Sequence, residues 1–310
     1  MSKQANKNNQ EKPFTGLLLW KVVGMFALVY AAVQLAIGAI AAGMDFLMDA
    51  INASDNLLIF LGSTISHTVM AAVILLITLP VIRSVFNKPG LQGLYPSGKK
   101  CWKDVLIGMA ITAGAMVVIF ILELTLGFIT VSGFAHADQS QYHWVQALWL
   151  ALLANSITVL GAEVLYRGLL LQGVEMAWDR WGALFISSII FGGAQVFTAG
   201  ITETDWLTYV PFLALPGVML GWSYLRTGNL WLASGIHFAW ILFRDDILNL
   251  TTLNHGKTPF GLDTNIKGPQ WFTGGAFGFE ASGAGILCLL LVSAGIWWWT
   301  KRTTEKAASG

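Results

Sequence analysis

Charge is what this sequence has least of. Only 11% of its 310 residues are Asp, Glu, Lys or Arg, where a soluble domain carries about a quarter. A chain so poor in charge cannot cover a globular surface with solvated groups, and it reads as one that folds in a bilayer. The formal net charge of +1 offers nothing to a nucleic acid or to a strongly acidic partner. Cysteine is scarce too. Cys101 and Cys288 fall in different regions without ligand spacing, which argues against a disulfide framework and against a zinc knuckle. No internal repeat, heptad run or low-complexity tract is present.

What the chain has in abundance is apolar length: 55% of its residues are hydrophobic. A spanning helix needs roughly 20 apolar residues, and eight runs approach that. They are Val22–Gly43, Leu57–Ile82, Val105–Val131, Val145–Leu171, Ala183–Ala199, Leu207–Leu225, Leu230–Leu250 and Gly285–Thr300. The expected fold is therefore all-α, a polytopic transmembrane helical bundle of about eight spans. The basic stretch before the first run resembles the start of a signal peptide, but the run is long for that role.

Lysine and arginine orient the bundle. Lys3, Lys7 and Lys12 precede the first run, and Arg83, Lys88, Lys99, Lys100 and Lys103 follow the second. Arg180, Arg226 and the tail residues Lys301, Arg302 and Lys306 continue the alternation. The first, third and fifth connections hold acids only, among them Asp45, Asp49, Asp138, Glu203 and Asp205. By the positive-inside rule both termini are cytoplasmic, with the cell membrane as the expected location. Only the seventh connection breaks the pattern, with Arg244, Lys257 and Lys267. The expected organisation is a tail (1–16), N-terminal helices (17–143), a core (144–300) including an external loop (251–283), and a second tail (301–310).

Ionisable side chains inside a membrane are costly and mark function by default. Within "LGAEVLYRGLL" (Leu160–Leu170), Glu163 and Arg167 stand four residues apart, on one helix face. Gln195 lies in the fifth run and His237 in the seventh. The estimated depths of all these residues agree, so they can converge. The plainer alternatives are a satisfied core histidine at His237, helix-to-helix hydrogen bonding at Gln195, and close helix packing at Gly192 and Gly193. Tyr166, one turn from Ala162, is a cavity-wall candidate with the same plain alternative, packing.

A second pair, His67 and Glu123, falls at similar depth in the second and third runs. It would serve a proton relay if the two met. The last loop gathers Asn254, His255, Asp263 and Glu280 among glycines, and reads as a folded lid or plug without a metal. Lys99–Lys103 can lie against anionic headgroups or be an ordinary inside-facing loop.

Three short motifs carry a resemblance. "GAEVLYRG" is similar to a Glu-Glu pair followed by three residues and Arg, "FGGAQ" (Phe191–Gln195) to Phe, three residues and His, and "HFAWI" (His237–Ile241) to His, three residues and Asn or Asp. The chain resembles the CAAX protease and bacteriocin-processing family of intramembrane endopeptidases, also called lysostaphin-resistance-protein-like. "GWSYLRTGNLWLASGIH" and "GPQWFTGGAFGFEAS" resemble further family stretches, so the likeness covers about Leu160 to Ser282.

The resemblance implies a carboxylate and histidines that activate water for attack on a peptide carbonyl. It also implies where this chain departs. Ala162 takes the place of the first glutamate, Gln195 of the second motif's histidine and Ile241 of the third motif's polar residue, while Phe279 stands where a proline usually precedes the last acid. An alanine methyl accepts no proton, and an amide does not titrate and is a poor metal ligand. Glu163 and Arg167 remain as a structural pair, His237 as the one surviving site histidine, and Tyr166 and Phe191 as cavity candidates.

The implied function is that of a catalytically impaired endopeptidase homologue in the bilayer that binds lipidated or transmembrane peptides or a membrane protein partner. No cofactor, metal or nucleic acid is expected. The alternatives are an active CAAX-type endopeptidase using Glu163, freed from Arg167, with His237 as catalytic residues, and a transporter or channel component.

Overall fold

A computed structural model describes residues 16–50, 56–86, 94–96, 99–134, 144–198, 206–250, 260–275 and 278–308. Helices occupy all eight expected positions. They are α1 (Gly16–Ala50), α2 (Asn56–Phe86), α3 (Lys99–Thr125), α4 (Trp144–Glu163), α5 (Gln172–Ala177), α6 (Arg180–Thr198), α7 (Trp206–Thr227), α8 (Trp231–Ile241), α9 (Gln270–Thr273) and α10 (Gly283–Ala308). A π-helical segment, Val164–Leu171, joins α4 to α5 without a break, and a second, Leu242–Ile247, extends α8. Among the described residues, four stretches are long and apolar enough to cross a membrane: Leu18–Ile40, Cys101–Thr125, Trp144–Ala177 and Gly283–Lys301.

The third expected span is too long as read. The helix stops at Thr125, and Ile129–Phe134 forms a strand, β1, paired antiparallel with β2 (Leu262–Ile266). The stop is a Schellman motif. Gly127 takes φ +70°, its N–H bonds to the Leu124 carbonyl at 3.1 Å, and the Phe128 N–H bonds to the Glu123 carbonyl at 2.9 Å. Among the described residues, the helical bundle thus carries one small two-stranded sheet.

Two apolar cores hold the helices together. One, centred on Met116, Leu232, Ile236 and Val292, joins α3, α8 and α10. The other, centred on Val22, Ile82, Leu169 and Ala183, packs α1, α2 and α6 around the first π segment. With apolar lipid outside, close backbone approach replaces hydrophobic expulsion as the source of cohesion, and glycines sit at the crossings. A Cβ on Gly108 of α3 would stand 2.7 Å from the Leu232 carbonyl oxygen, and one on Gly235 of α8 would strike the Val105 carbonyl. This crossing fixes the helix that carries His237. At the α6–α7 crossing a Cβ on Gly192 would meet the Ala214 nitrogen at 2.7 Å, whereas Gly193 has open space. Close packing therefore explains Gly192 and not Gly193.

Glu123 is buried, with one carboxylate oxygen lacking a hydrogen-bond partner. The His67 side chain lies outside the described residues, so the relay expectation has no geometry behind it. Asn254 and His255 also lie outside them. Cys101 and Cys288 are buried and free, and the Cys101 thiol donates to the Pro96 carbonyl at 2.6 Å.

Candidate functional site

The motif residues meet at one cavity of about 190 Å³. Ala162, Tyr166, Phe191, Gln195, His237 and Ile241 all line it. Its walls come from both cores: Tyr166 and Phe191 belong to one, and Met219, Leu220 and Trp240 to the other. Thr158, Ala162 and Tyr166 present one face of the α4 helix and its π continuation, while His237, Trp240, Ile241 and Arg244 present one face of α8 and its own continuation. π-Helical turns cluster at functional sites, and here Tyr166 and Arg244 lie within the two π segments.

Glu163 stands behind this wall, fully buried. Its Oε1 accepts from Arg167 Nη1 at 3.2 Å and lies 2.7 Å from His237 Nδ1, while Oε2 has no hydrogen-bond partner. Arg167, only 2% exposed, also donates from Nη2 to the Gly217 carbonyl at 3.4 Å. Its guanidinium lies over the Phe191 ring at 4.8 Å, and Phe191 meets Tyr166 edge-on at 5.0 Å between centroids. Removing one partner of such a buried pair leaves the other charge uncompensated and costs about 3–5 kcal/mol. The expectation that Glu163 could be freed from Arg167 does not fit this geometry, because one oxygen serves Arg167 and His237 together.

The far end of the cavity carries a cluster that no motif in the sequence marks. Arg244, in the second π segment, forms ion pairs with Asp245 and with Glu280, and the Trp240 indole N–H donates to Glu280 Oε1 at 3.2 Å. Glu280 comes from the loop read as a lid or plug, and the structure seats it in the cavity wall. That loop turns at Gly274, φ +89°, and Gly278, φ +79°. The available signal was Arg244 itself, a break in the charge alternation seven residues after His237.

Glu163 and His237 are two possible metal donors, with the Gln195 amide a poor third. Among the described residues no three His, Cys, Asp or Glu side chains gather to hold a metal ion. Among the described residues the cavity therefore offers a divalent metal two good donors and one poor one.

Residues 144–243 match the family model of the type II CAAX prenyl endopeptidases, Rce1-like. This segment is Rce1-like. It carries Ala162, Glu163, Arg167, Gln195, His237 and Ile241, so the family read from the motifs is the family matched. Arg244 falls just outside it and Glu280 well beyond. No curated protein and no solved structure matches the chain.

Proposed function

We propose that this CAAX-protease-like membrane protein binds the lipidated or transmembrane end of a peptide in its cavity and is catalytically impaired. The observation that carries the reading is the composition of the cavity wall. Ala162, Gln195 and Ile241 line it together, at the motif positions where the resemblance implies two titratable groups and a polar one. Loss of one positioned general acid or base typically lowers the rate about 10²–10⁴-fold, and two are replaced here. The binding surface survives: an aromatic corner, Tyr166 and Phe191, with apolar Leu213, Pro216, Met219 and Leu220. On the charge alternation of its loops we assign both termini to the cytoplasm and the protein to the cell membrane.

A second reading has one specific observation in its favour. A carboxylate within 2.7 Å of His237 Nδ1 is how an orienting acid holds a general base, leaving Nε2 to the reacting group. In that reading Glu163 stays paired to Arg167 and positions His237, which takes the proton.

The experiment uses the protein reconstituted in lipid nanodiscs with farnesylated and transmembrane peptides, read for binding by titration and for cleavage by mass spectrometry. Binding without cleavage is expected. Cleavage that disappears in His237→Ala would replace the first reading by the second.

A further inference from the structure

We infer that the end of the bundle where α3 begins and α7 and α10 finish binds the headgroup of an anionic phospholipid. None of the residues of this surface lines the cavity, so lipid binding here and peptide binding there stand or fall separately.

Two hydrogen bonds bring the three helix ends together. On α10, Trp299 Nε1 donates to Asp104 Oδ1 of α3 at 2.9 Å. The next residue, Thr300, accepts at its hydroxyl from Arg226 Nε of α7, also at 2.9 Å. Lys103, Arg226 and Lys301 each lie at one of these ties or one residue from it, and all three are exposed. Among the described residues of these turns the acid is Asp104, which is 1% exposed and turned inward onto Trp299. The outward surface is left positive.

Indoles frame the cations. Trp102 is 68% exposed beside Lys103, and Trp297 and Trp298 are 50% and 45% exposed near the end of α10. Lys301 Nζ lies 5.2 Å from the Trp297 ring centre, and the Arg226 guanidinium 5.8 Å from that of Trp222. Tryptophan favours the membrane–water interface, where its ring meets the acyl chains and its N–H meets water. That sets the cations at headgroup depth, where each lysine or arginine adds attraction to anionic lipid. Cation–ring contact also holds the long side chains in place, which leaves less ordering for the lipid to impose. With both termini assigned to the cytoplasm, the leaflet is the cytoplasmic one, which carries anionic lipid.

A lipid seated here braces the frame of the cavity. Gly108, one turn beyond Asp104 on α3, makes the close crossing with the α8 helix that carries His237.

The test compares the protein in nanodiscs of phosphatidylcholine with nanodiscs of phosphatidylcholine mixed with phosphatidylglycerol. It reads the thermal unfolding midpoint and, by native mass spectrometry, the lipid that the released protein retains. Wild type is expected to unfold at a higher temperature in the mixture and to retain phosphatidylglycerol preferentially. Lys301→Gln and Arg226→Gln are each expected to lower that retention about fivefold. Arg83→Gln is the control. Arg83 is exposed in the last turn of α2, a helix that packs on α1, α4 and the first π segment, and its loss should leave retention unchanged. Inorganic phosphate added to the phosphatidylcholine discs should not reproduce the rise in midpoint. Three results would overturn the site: no advantage from phosphatidylglycerol in the wild type, an Arg83→Gln loss as large as that of Lys301→Gln, which marks diffuse attraction to a basic surface, or inorganic phosphate serving as well as the lipid.

Discussion

The two arginine–glutamate pairs at the cavity, one behind its wall and one in it, are built to different standards. Behind one wall the Glu163 and Arg167 side chains are 0% and 3% exposed, inside the segment that matches the family. At the other, Arg244 and Glu280 have side chains 18% and 13% exposed and lie outside that segment. Each pair joins an arginine to a glutamate, yet only the first is sealed from water. The difference teaches that similar pairs do different work. A sealed pair supports the fold, because its charges have nowhere else to go. A pair in a cavity wall is still open to a third group.

Substitutions separate the two pairs, with the largest effect expected at the sealed one. Arg167→Ala should lower stability by about 3–5 kcal/mol, seen as a large drop in the thermal unfolding midpoint of the protein in lipid. The Gly108–Gly235 crossing comes next. Gly235→Ala drives a Cβ into the Val105 carbonyl, and overpacking of this kind costs about 1–3 kcal/mol. Gly193→Ala is its control: nothing lies within 4 Å of the added atom, and alanine gains up to about 1 kcal/mol over glycine in a helix. The same unfolding measurement should move in opposite directions for the two. Smallest is Glu280→Gln, expected to shift stability by about 1 kcal/mol or less, as for partly solvated ion pairs. If Glu280→Gln proved as damaging as Arg167→Ala, the two pairs would be alike and the contrast would fail.

Most of the helical frame was legible because the bilayer demands long apolar runs, and such runs stand out in any sequence. The end of α3 was not. "LGFITV" (Leu126–Val131) is apolar throughout, so hydropathy runs on past Gly127, where the backbone turns left-handed and the chain becomes a strand. Its pairing with Leu262–Ile266 needs a partner more than a hundred residues away, which no local pattern announces. In the site, the motif spacings brought Ala162, Gln195, His237 and Ile241 to one place. The Arg244–Glu280 pairing stayed hidden for the reason that hid the sheet: Glu280 reaches the cavity only because glycines fold its loop back. Nothing in "VLYRGLLL" distinguishes a π-helix from an α-helix, so the widened turn behind Tyr166 and Arg167 was also out of reach.

Restoring the missing side chains tests the proposed loss of catalysis most directly. Wild type and the double variant Ala162→Glu with Gln195→His, both in nanodiscs, would be given one farnesylated peptide and followed by mass spectrometry for cleavage. An inert wild type is expected, with a restored variant that cuts at least about 100-fold faster. A wild type that cuts as fast as the restored protein would contradict it.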